Sequence, residues 1–124
     1  MAKEIHDTVY DAALDLIATC VTCSVCKLQP ANFAGIAAEM LAEITLTAGD
    51  GNGDWVIADA GGGGRQLTMS IQSNVDITTS GTATYVVWDT GATLLAATTC
   101  TSQVLTDTGT VTVPATIFTF ADPT

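Results

Sequence analysis

The chain has 124 residues, of which 48% are hydrophobic and only 13% are charged, and this length fits one domain with one hydrophobic core. Three basic and thirteen acidic residues give a formal net charge of −10, which argues against binding to nucleic acid and to anionic membranes, since both need Lys and Arg. No segment is apolar and long enough to span a bilayer, and acidic residues interrupt the region where a signal peptide needs its apolar core, so we expect folding in the cytoplasm with reduced cysteines.

The first predicted element is a helix over residues 5–19. Apolar side chains recur there at helical spacing, and Asp7 has the side chain of a helix N-cap. The predicted apolar stripe consists of Ile5, Val9, Ala12 or Ala13, Leu16 and Ile17, and the sequence leaves open whether it packs on its own domain or on a neighbouring molecule.

Three aspartates follow one another along a second face of this helix. Asp7, Asp11 and Asp15 are spaced at i, i+4 and i+8, where like charges repel weakly. The pattern is typical of a solvated face. The functional alternative is an acidic stripe that docks on a basic partner surface.

The segment CVTCSVCKLQP places Cys20, Cys23 and Cys26 at the spacing with which iron–sulfur ligand runs begin. Pro30 occupies the position of the fourth ligand, and Cys100 is the only other cysteine. If residues 21–28 form a strand, Cys20 and Cys26 point to one face and Cys23 to the other, so they cannot converge on one metal. We therefore predict free, packed thiols, with a disulfide or a small redox or metal protein as the alternatives.

Residues 34–43 have the composition of a helix, although Gly35 weakens that prediction, and the alternative is a loop that lies on a neighbouring molecule. We include Phe33 and Ile36 from this region among the candidate partner-contact residues, together with Asp7, Asp11 and Asp15 of the helix.

From Ile44 onward the chain consists of short runs rich in Thr, Val and Ile, separated by turns such as GDGNG and AGGGG. This predicts a mainly β fold, an antiparallel β-sandwich or barrel-like domain with an N-terminal α-helix. We expect one domain over residues 1–124: a helix in 1–19, a strand and a loop or short helix in 20–43, and the sandwich in 44–124. Leu67, Met69 and Ile71 alternate with polar residues and predict one buried face.

The turns carry two patterns that resemble ligand sites. Asp50, Asn52 and Asp54 alternate with Gly as in a calcium loop, but the twelfth position is Gly61 rather than an acid, so we predict a tight turn. The glycines of residues 61–64 precede no helix with a Lys-Ser or Lys-Thr pair, and we interpret them as a flexible hairpin tip rather than a phosphate site.

Catalytic constellations are scarce, because His6 is the only histidine and no nucleophile is paired with it in the sequence. The seven aromatic residues fall mostly on predicted strands, where core packing is the default. We predict a protein that is not an enzyme and has no catalytic residues, no cofactor and no metal.

Several motifs, in their order along the chain, resemble a family of small virion proteins of tailed bacteriophages, described as capsid decoration, cement or minor head proteins. The motifs are HDTVYDAALDLIAT, the short strand with Cys26 and the Gln29–Pro30 pair, GNGDWVIAD with its Gly-rich turn and Arg65, GTATYVV, LLAATTCTSQ and the terminal ADPT. The resemblance covers nearly the whole chain.

This resemblance implies a structural protein that stabilises a capsid lattice by binding the major capsid protein, located on the capsid exterior after assembly in the host cytoplasm. It also implies homo-oligomers, with trimers favoured because lattices offer three-fold junctions and dimers as the alternative. The competing function is a tail or head-fibre accessory protein that binds a receptor or glycan.

Overall fold

Residues 4–123, which a computed structural model describes, form two α-helices, one 3₁₀ turn and nine β-strands. In chain order these elements are α1 (Asp7–Ile17), β1 (Thr22–Cys26), the 3₁₀ turn (Phe33–Gly35), α2 (Ile36–Glu39), β2 (Met40–Thr45), β3 (Trp55–Asp59), β4 (Arg65–Met69), β5 (Gln72–Asp76), β6 (Gly81–Asp89), β7 (Leu94–Leu105), β8 (Thr110–Val113) and β9 (Thr116–Phe120).

All strand pairs are antiparallel and belong to three sheets, with the orders β2-β1-β6-β7, β3-β4-β9 and β5-β8. The predicted mainly β fold with an N-terminal helix is therefore confirmed. Within the described residues none of these sheets closes into a barrel.

The contacts of the described chain group its segments into two compact units, neither of which is continuous in sequence. Unit 1 contains residues 4–19, Thr47–Ile71 and 115–123, and unit 2 contains Cys20–Leu46 and Gln72–Pro114. These units cut across the predicted succession of helix, connector and sandwich. The single domain remains a prediction.

Unit 1 consists of α1 and the sheet β3-β4-β9. Its core contains Leu14, Trp55, Leu67 and Met69, which have no exposed surface. The Trp55 ring lies 6.3 Å from that of Phe118, in a tilted arrangement that is favourable for aromatic pairs. The predicted alternation is confirmed for Leu67 and Met69, whereas Ile71 lies beyond the end of β4 and is 58% exposed.

Helix α1 begins two residues after the predicted start, and its N-cap is His6 rather than Asp7. The Thr8 N–H donates to His6 Nδ1 over 3.3 Å. Asp7 is instead the first helical residue, where its negative charge interacts favourably with the helix dipole. At the other end the Thr19 hydroxyl donates to the Leu16 carbonyl over 2.6 Å, which satisfies one of the last carbonyl groups.

Unit 2 is built on the four-stranded sheet, with β1 as a central strand between β2 and β6. Both faces of β1 are covered, so its residues Cys23 to Cys26 are all buried. Cys26 packs with Ile36 and Val87 on one face. On the opposite face, Val25 shares a cavity lining with Val111 and Val113 of the strand β8 region.

The prediction of a helix over residues 34–43 is wrong for its second half. The helix ends at Glu39, and Met40 to Thr45 form β2. Hydrogen bonding to β1, with Cys23 opposite Ile44 and Val25 opposite Ala42, outweighs the local helix propensity.

The Asp/Gly loop before β3 forms turns whose carboxylates bind backbone groups. Asp50 accepts a hydrogen bond from the Ile57 N–H over 2.8 Å, and Asp54 accepts one from the Thr47 N–H over 2.7 Å. These carboxylates therefore fix the loop itself, as expected for a tight turn.

No helix in the described part of the chain has the length and apolar character needed to cross a bilayer.

Candidate partner-binding surfaces

The buried face of α1 is formed by Tyr10 and Leu14, and it continues to the C-cap residue Ala18. The Tyr10 ring stacks on Phe120 with centroids 6.0 Å apart, and its hydroxyl donates to the Ala121 carbonyl over 3.0 Å. Loss of solvent and the nearby Asp122 carboxylate raise the pKa of the Tyr10 phenol. An aromatic anchor therefore determines which side of the helix is buried.

The apolar stripe predicted for α1 lies mostly on the side of the helix that faces solvent. Val9 and Leu16 are 59% and 58% exposed, and Ile5 is 38% exposed. Ile17 is half-buried. The exposed members form one surface, called the helix strip below, which consists of Ile5, Val9, Ala12, Ala13 and Leu16.

Of the three predicted acidic contact residues, Asp11 is bound within the chain. The Arg65 Nε donates to its carboxylate over 2.8 Å, and Arg65 Nη1 donates to Asp59 over 2.5 Å. These hydrogen bonds, first to Asp11 and then to Asp59, raise the pKa of the guanidinium, whose side chain is 19% exposed. Asp7 and Asp15 are exposed.

The exposed surface of α1 thus has two chemically different sides. Successive helical residues are about 100° apart, so the aspartates lie along one edge of the buried face and the helix strip lies on the side of the helix opposite to that face. Because an unpaired apolar helix face is typical of a surface that a partner covers, the helix strip is the first candidate contact surface.

A polar cleft of about 460 Å³ lies at the N-terminal end of α1. Carboxylates of Asp7, Asp59 and Asp122 line it together with His6. Within residues 4–123, no three His, Cys, Asp or Glu side chains are arranged to hold a metal ion. The cleft therefore adds negative potential to this end of the helix.

A second candidate surface lies in unit 2, on the Cys26 face of the four-stranded sheet. It is a groove of about 350 Å³, called the Ser24 groove below, whose lining residues are Thr22, Ser24, Phe33, Ala34, Ile36, Ala37, Met40, Glu43, Asp89 and Gly91. The strand register places Ser24 opposite Glu43 on one side and opposite Val87 on the other. Thr22 and Asp89 form the next cross-strand pair. Two carboxylates therefore flank Ser24 within the distance of cross-strand and diagonal neighbours.

The floor of the Ser24 groove contains polar groups that are buried to an unusual degree. Ser24 has no exposed surface, and its Oγ has no hydrogen-bond partner among the described residues. Asp89 is 3% exposed, and its Oδ1 accepts the Gly91 N–H over 2.8 Å. Buried hydroxyl groups are normally hydrogen-bonded, so the unpaired Ser24 Oγ is exceptional among the described residues.

The other two predicted contact residues, Phe33 and Ile36, both line the Ser24 groove. Phe33 is 38% exposed in the 3₁₀ turn. That turn is fixed by Asn32, whose side-chain oxygen accepts the Gly35 N–H over 3.0 Å. Ile36 is only 6% exposed and packs on Cys26, so it belongs to the core and a partner reaches it only from inside the groove. No sequence pattern singled out Ser24, Glu43 or Asp89, because only the strand pairing brings them together.

The thiols of the cysteine run are protonated at neutral pH. Loss of solvent, and secondarily Asp89, raises the pKa of Cys20 to about 12, and loss of solvent followed by Glu39 raises that of Cys26 to about 11. The pKa of Cys23 is raised even more, mainly because its thiol is buried. None of the four cysteines forms a disulfide within the described residues, and strand alternation places Cys23 and Cys26 on opposite faces.

Comparison of the chain with protein-family models, with curated proteins and with solved structures gives no match. The function must therefore be argued from the two candidate surfaces and from the sequence motifs.

Proposed function

We propose that the chain is a structural virion protein of a tailed bacteriophage, which decorates and stabilises the capsid by binding the major capsid protein. The observation that carries the proposal is the helix strip, an apolar surface on a short helix of a small, acidic, β-rich chain. The order of the sequence motifs supports the same function. In this proposal the chain acts by binding to the capsid and catalyses no reaction.

The charge of the chain narrows the kind of partner surface. With a net charge of −10, the chain is repelled by acidic surfaces and attracted to surfaces rich in Lys and Arg. The helix strip supplies apolar area, while Asp7 and Asp15 supply orientation and a faster association. A capsid lattice presents such a surface many times, so weak individual contacts add up through multivalency.

The first experiment counts the chain in purified virions of the phage that encodes it. Gel densitometry and quantitative mass spectrometry should give a copy number that tracks the major capsid protein. A handful of copies per virion would contradict decoration and favour a tail or head-fibre component. Immunogold labelling over the head, rather than over the tail tip, separates these two locations.

The second experiment asks whether the helix strip makes the contact. We expect the double substitution Val9→Gln and Leu16→Gln to lower the amount of chain bound to capsids, because it removes apolar area without changing charge. The matched control is Val104→Gln, an exposed apolar residue of β7 in unit 2. Equal binding of both variants, with unchanged folding, would show that another surface binds the capsid.

The oligomeric state is part of the proposal. We expect cyclic homo-oligomers, with trimers favoured over dimers, at symmetric junctions of the lattice. Light scattering of the purified chain, and the symmetry of its density on imaged virions, test this expectation.

A further inference from the structure

We infer that the Ser24 groove binds a single basic side chain, lysine or arginine, which a partner protein inserts between the sheet and the 3₁₀–α2 segment. The identity of the partner rests on the proposed function, whereas the chemistry of the groove does not. The occupant has an apolar stem and a cationic end, and the groove offers one region for each.

The floor of the groove provides the polar groups that would bind the cationic end of the side chain. The buried Asp89 and the exposed Glu43 supply two carboxylates on strands either side of β1, and the Ser24 Oγ between them lacks a hydrogen-bond partner among the described residues. A buried hydroxyl that accepts a hydrogen bond from an ammonium or guanidinium group would be satisfied. Hydrogen bonds between a cation and carboxylates are the stronger class, particularly where water is excluded.

The walls of the groove provide an apolar surface for the stem of the side chain. Ile36, Ala37 and Met40 form one side, and the partly exposed ring of Phe33 lies at the groove as well. Lysine and arginine place methylene groups along apolar surface while their charge stays in a polar environment, and a cation is also attracted to an aromatic face. A groove of about 350 Å³ has room for one such side chain.

The occupant is assigned to a partner rather than to a second copy of this chain. The chain has only three basic residues, and Arg65 is already bound to Asp11 and Asp59. Two copies, each with a net charge of −10, also repel each other. A basic protein surface meets neither obstacle.

The test is a titration of the purified chain, followed by amide NMR, with N-acetyl-lysine methylamide and N-acetyl-arginine methylamide as probes. N-acetyl-norleucine methylamide has a similar stem without the charge and serves as the uncharged control. We expect shifts confined to the amides around Ser24, Glu43, Asp89 and residues 33–37 with the charged probes, and binding about tenfold weaker or more for the norleucine probe. Added salt should weaken binding of the charged probes only.

Three substitutions distinguish binding in the groove from a general effect of the negative charge of the chain. Glu43→Gln removes one carboxylate of the groove and should weaken binding of the charged probes several-fold, as should Ser24→Ala. Asp107→Asn removes a carboxylate in the β7–β8 turn of unit 2, away from the groove, and should leave binding unchanged.

Three results would overturn the inference: equal binding of the norleucine probe, shifts spread over all acidic regions, or no shift at the groove. Association between copies that Lys27→Gln abolishes would also overturn it, because the chain would then fill its own groove. If the probes bind as expected while the chain is absent from capsids, the proposed function fails and the groove chemistry stands. If the chain decorates capsids and the probes do not bind, the inference about the groove fails and the proposed function stands.

Discussion

The substitution Gly64→Ala tests the close packing at the end of the β3–β4 hairpin. A Cβ added at Gly64 would lie 2.0 Å from the Phe120 carbonyl oxygen and 2.8 Å from the Ala121 Cα, both of which are backbone atoms. Gly64 also has a φ of +87°, a backbone conformation that residues other than glycine rarely adopt. Gly64, which belongs to the predicted flexible hairpin tip, is therefore closely packed against the backbone of Phe120 and Ala121.

The expected loss of stability follows from two costs and one gain. Placing alanine at a positive φ costs about 1–3 kcal/mol. The clash with β9 forces its last residues away from β4, where Phe120 is opposite Arg65, and the loss of a backbone hydrogen bond adds about 1 kcal/mol. The smaller entropy of the unfolded alanine variant returns about 0.4–1 kcal/mol. The free energy of unfolding should therefore fall by about 1–3.5 kcal/mol, and a loss near the middle of this range lowers the melting temperature by roughly 10 °C for a chain of this size.

Thermal and urea unfolding, followed by circular dichroism and by fluorescence, measure this loss. The chain has two tryptophans, Trp55 in unit 1 and Trp88 in unit 2, so a Trp88→Phe background reports on unit 1. Gly62→Ala is the matched control, because nothing lies within 4 Å of its added Cβ and its φ is outside the left-handed region. The reasoning is refuted if Gly64→Ala melts within about 2 °C of Gly62→Ala.

Two further predictions concern the helix and the thiols. Leu14→Ala should lower the free energy of unfolding by about 2–5 kcal/mol, because Leu14 has no exposed surface, whereas Leu16→Ala on the helix strip should change it by less than about 0.5 kcal/mol. A loss of stability from Leu16→Ala as large as that from Leu14→Ala, measured by urea unfolding, would contradict the observed exposure of the helix strip. The stability of the chain should also decline as the pH rises above about 9, the ordinary pKa of a cysteine, because the unfolded thiols ionise there while Cys26 and Cys20 stay protonated in the folded chain up to pKa values of about 11 and 12. Below pH 9 both states are protonated and this effect is absent; a Cys26→Ala variant with the same alkaline slope in its urea midpoint would contradict the assignment.

The sequence predicted the parts of the fold that depend on local pattern. Short Thr- and Val-rich runs bounded by Gly and Asp are enough to predict antiparallel strands, and the alternation of Leu67 and Met69 is enough to place them in the core. The position of α1 was predicted within two residues. These features follow from backbone preferences and from the alternation of side chains, which neighbouring residues determine.

The parts that failed depend on contacts between residues distant in sequence. The sequence left open what α1 packs against, and the stack of Tyr10 on Phe120 and the Asp11–Arg65 ion pair accompany the burial of a face other than the aliphatic stripe. The helix-forming composition around Met40 gave way to pairing with β1. The Ser24 groove had no signal in the sequence, because its two carboxylates and its hydroxyl come from three different strands. Phe33 lies beside a segment that the sequence allowed to be a loop on a neighbouring molecule, and in the structure it lines the Ser24 groove.

The hydrogen bond between Tyr10 and Ala121 joins residues that are 111 positions apart, and it has a kinetic consequence. Closing a chain segment of that length costs about 4 kcal/mol of entropy beyond a constant, whereas the β3–β4 hairpin closes over a few residues. The hairpin is therefore expected to form early in folding, and the attachment of α1 to the last strand late. Contacts that form late affect the unfolding rate more than the folding rate, so α1 should be the first element of unit 1 to detach and its amides the first to exchange with solvent.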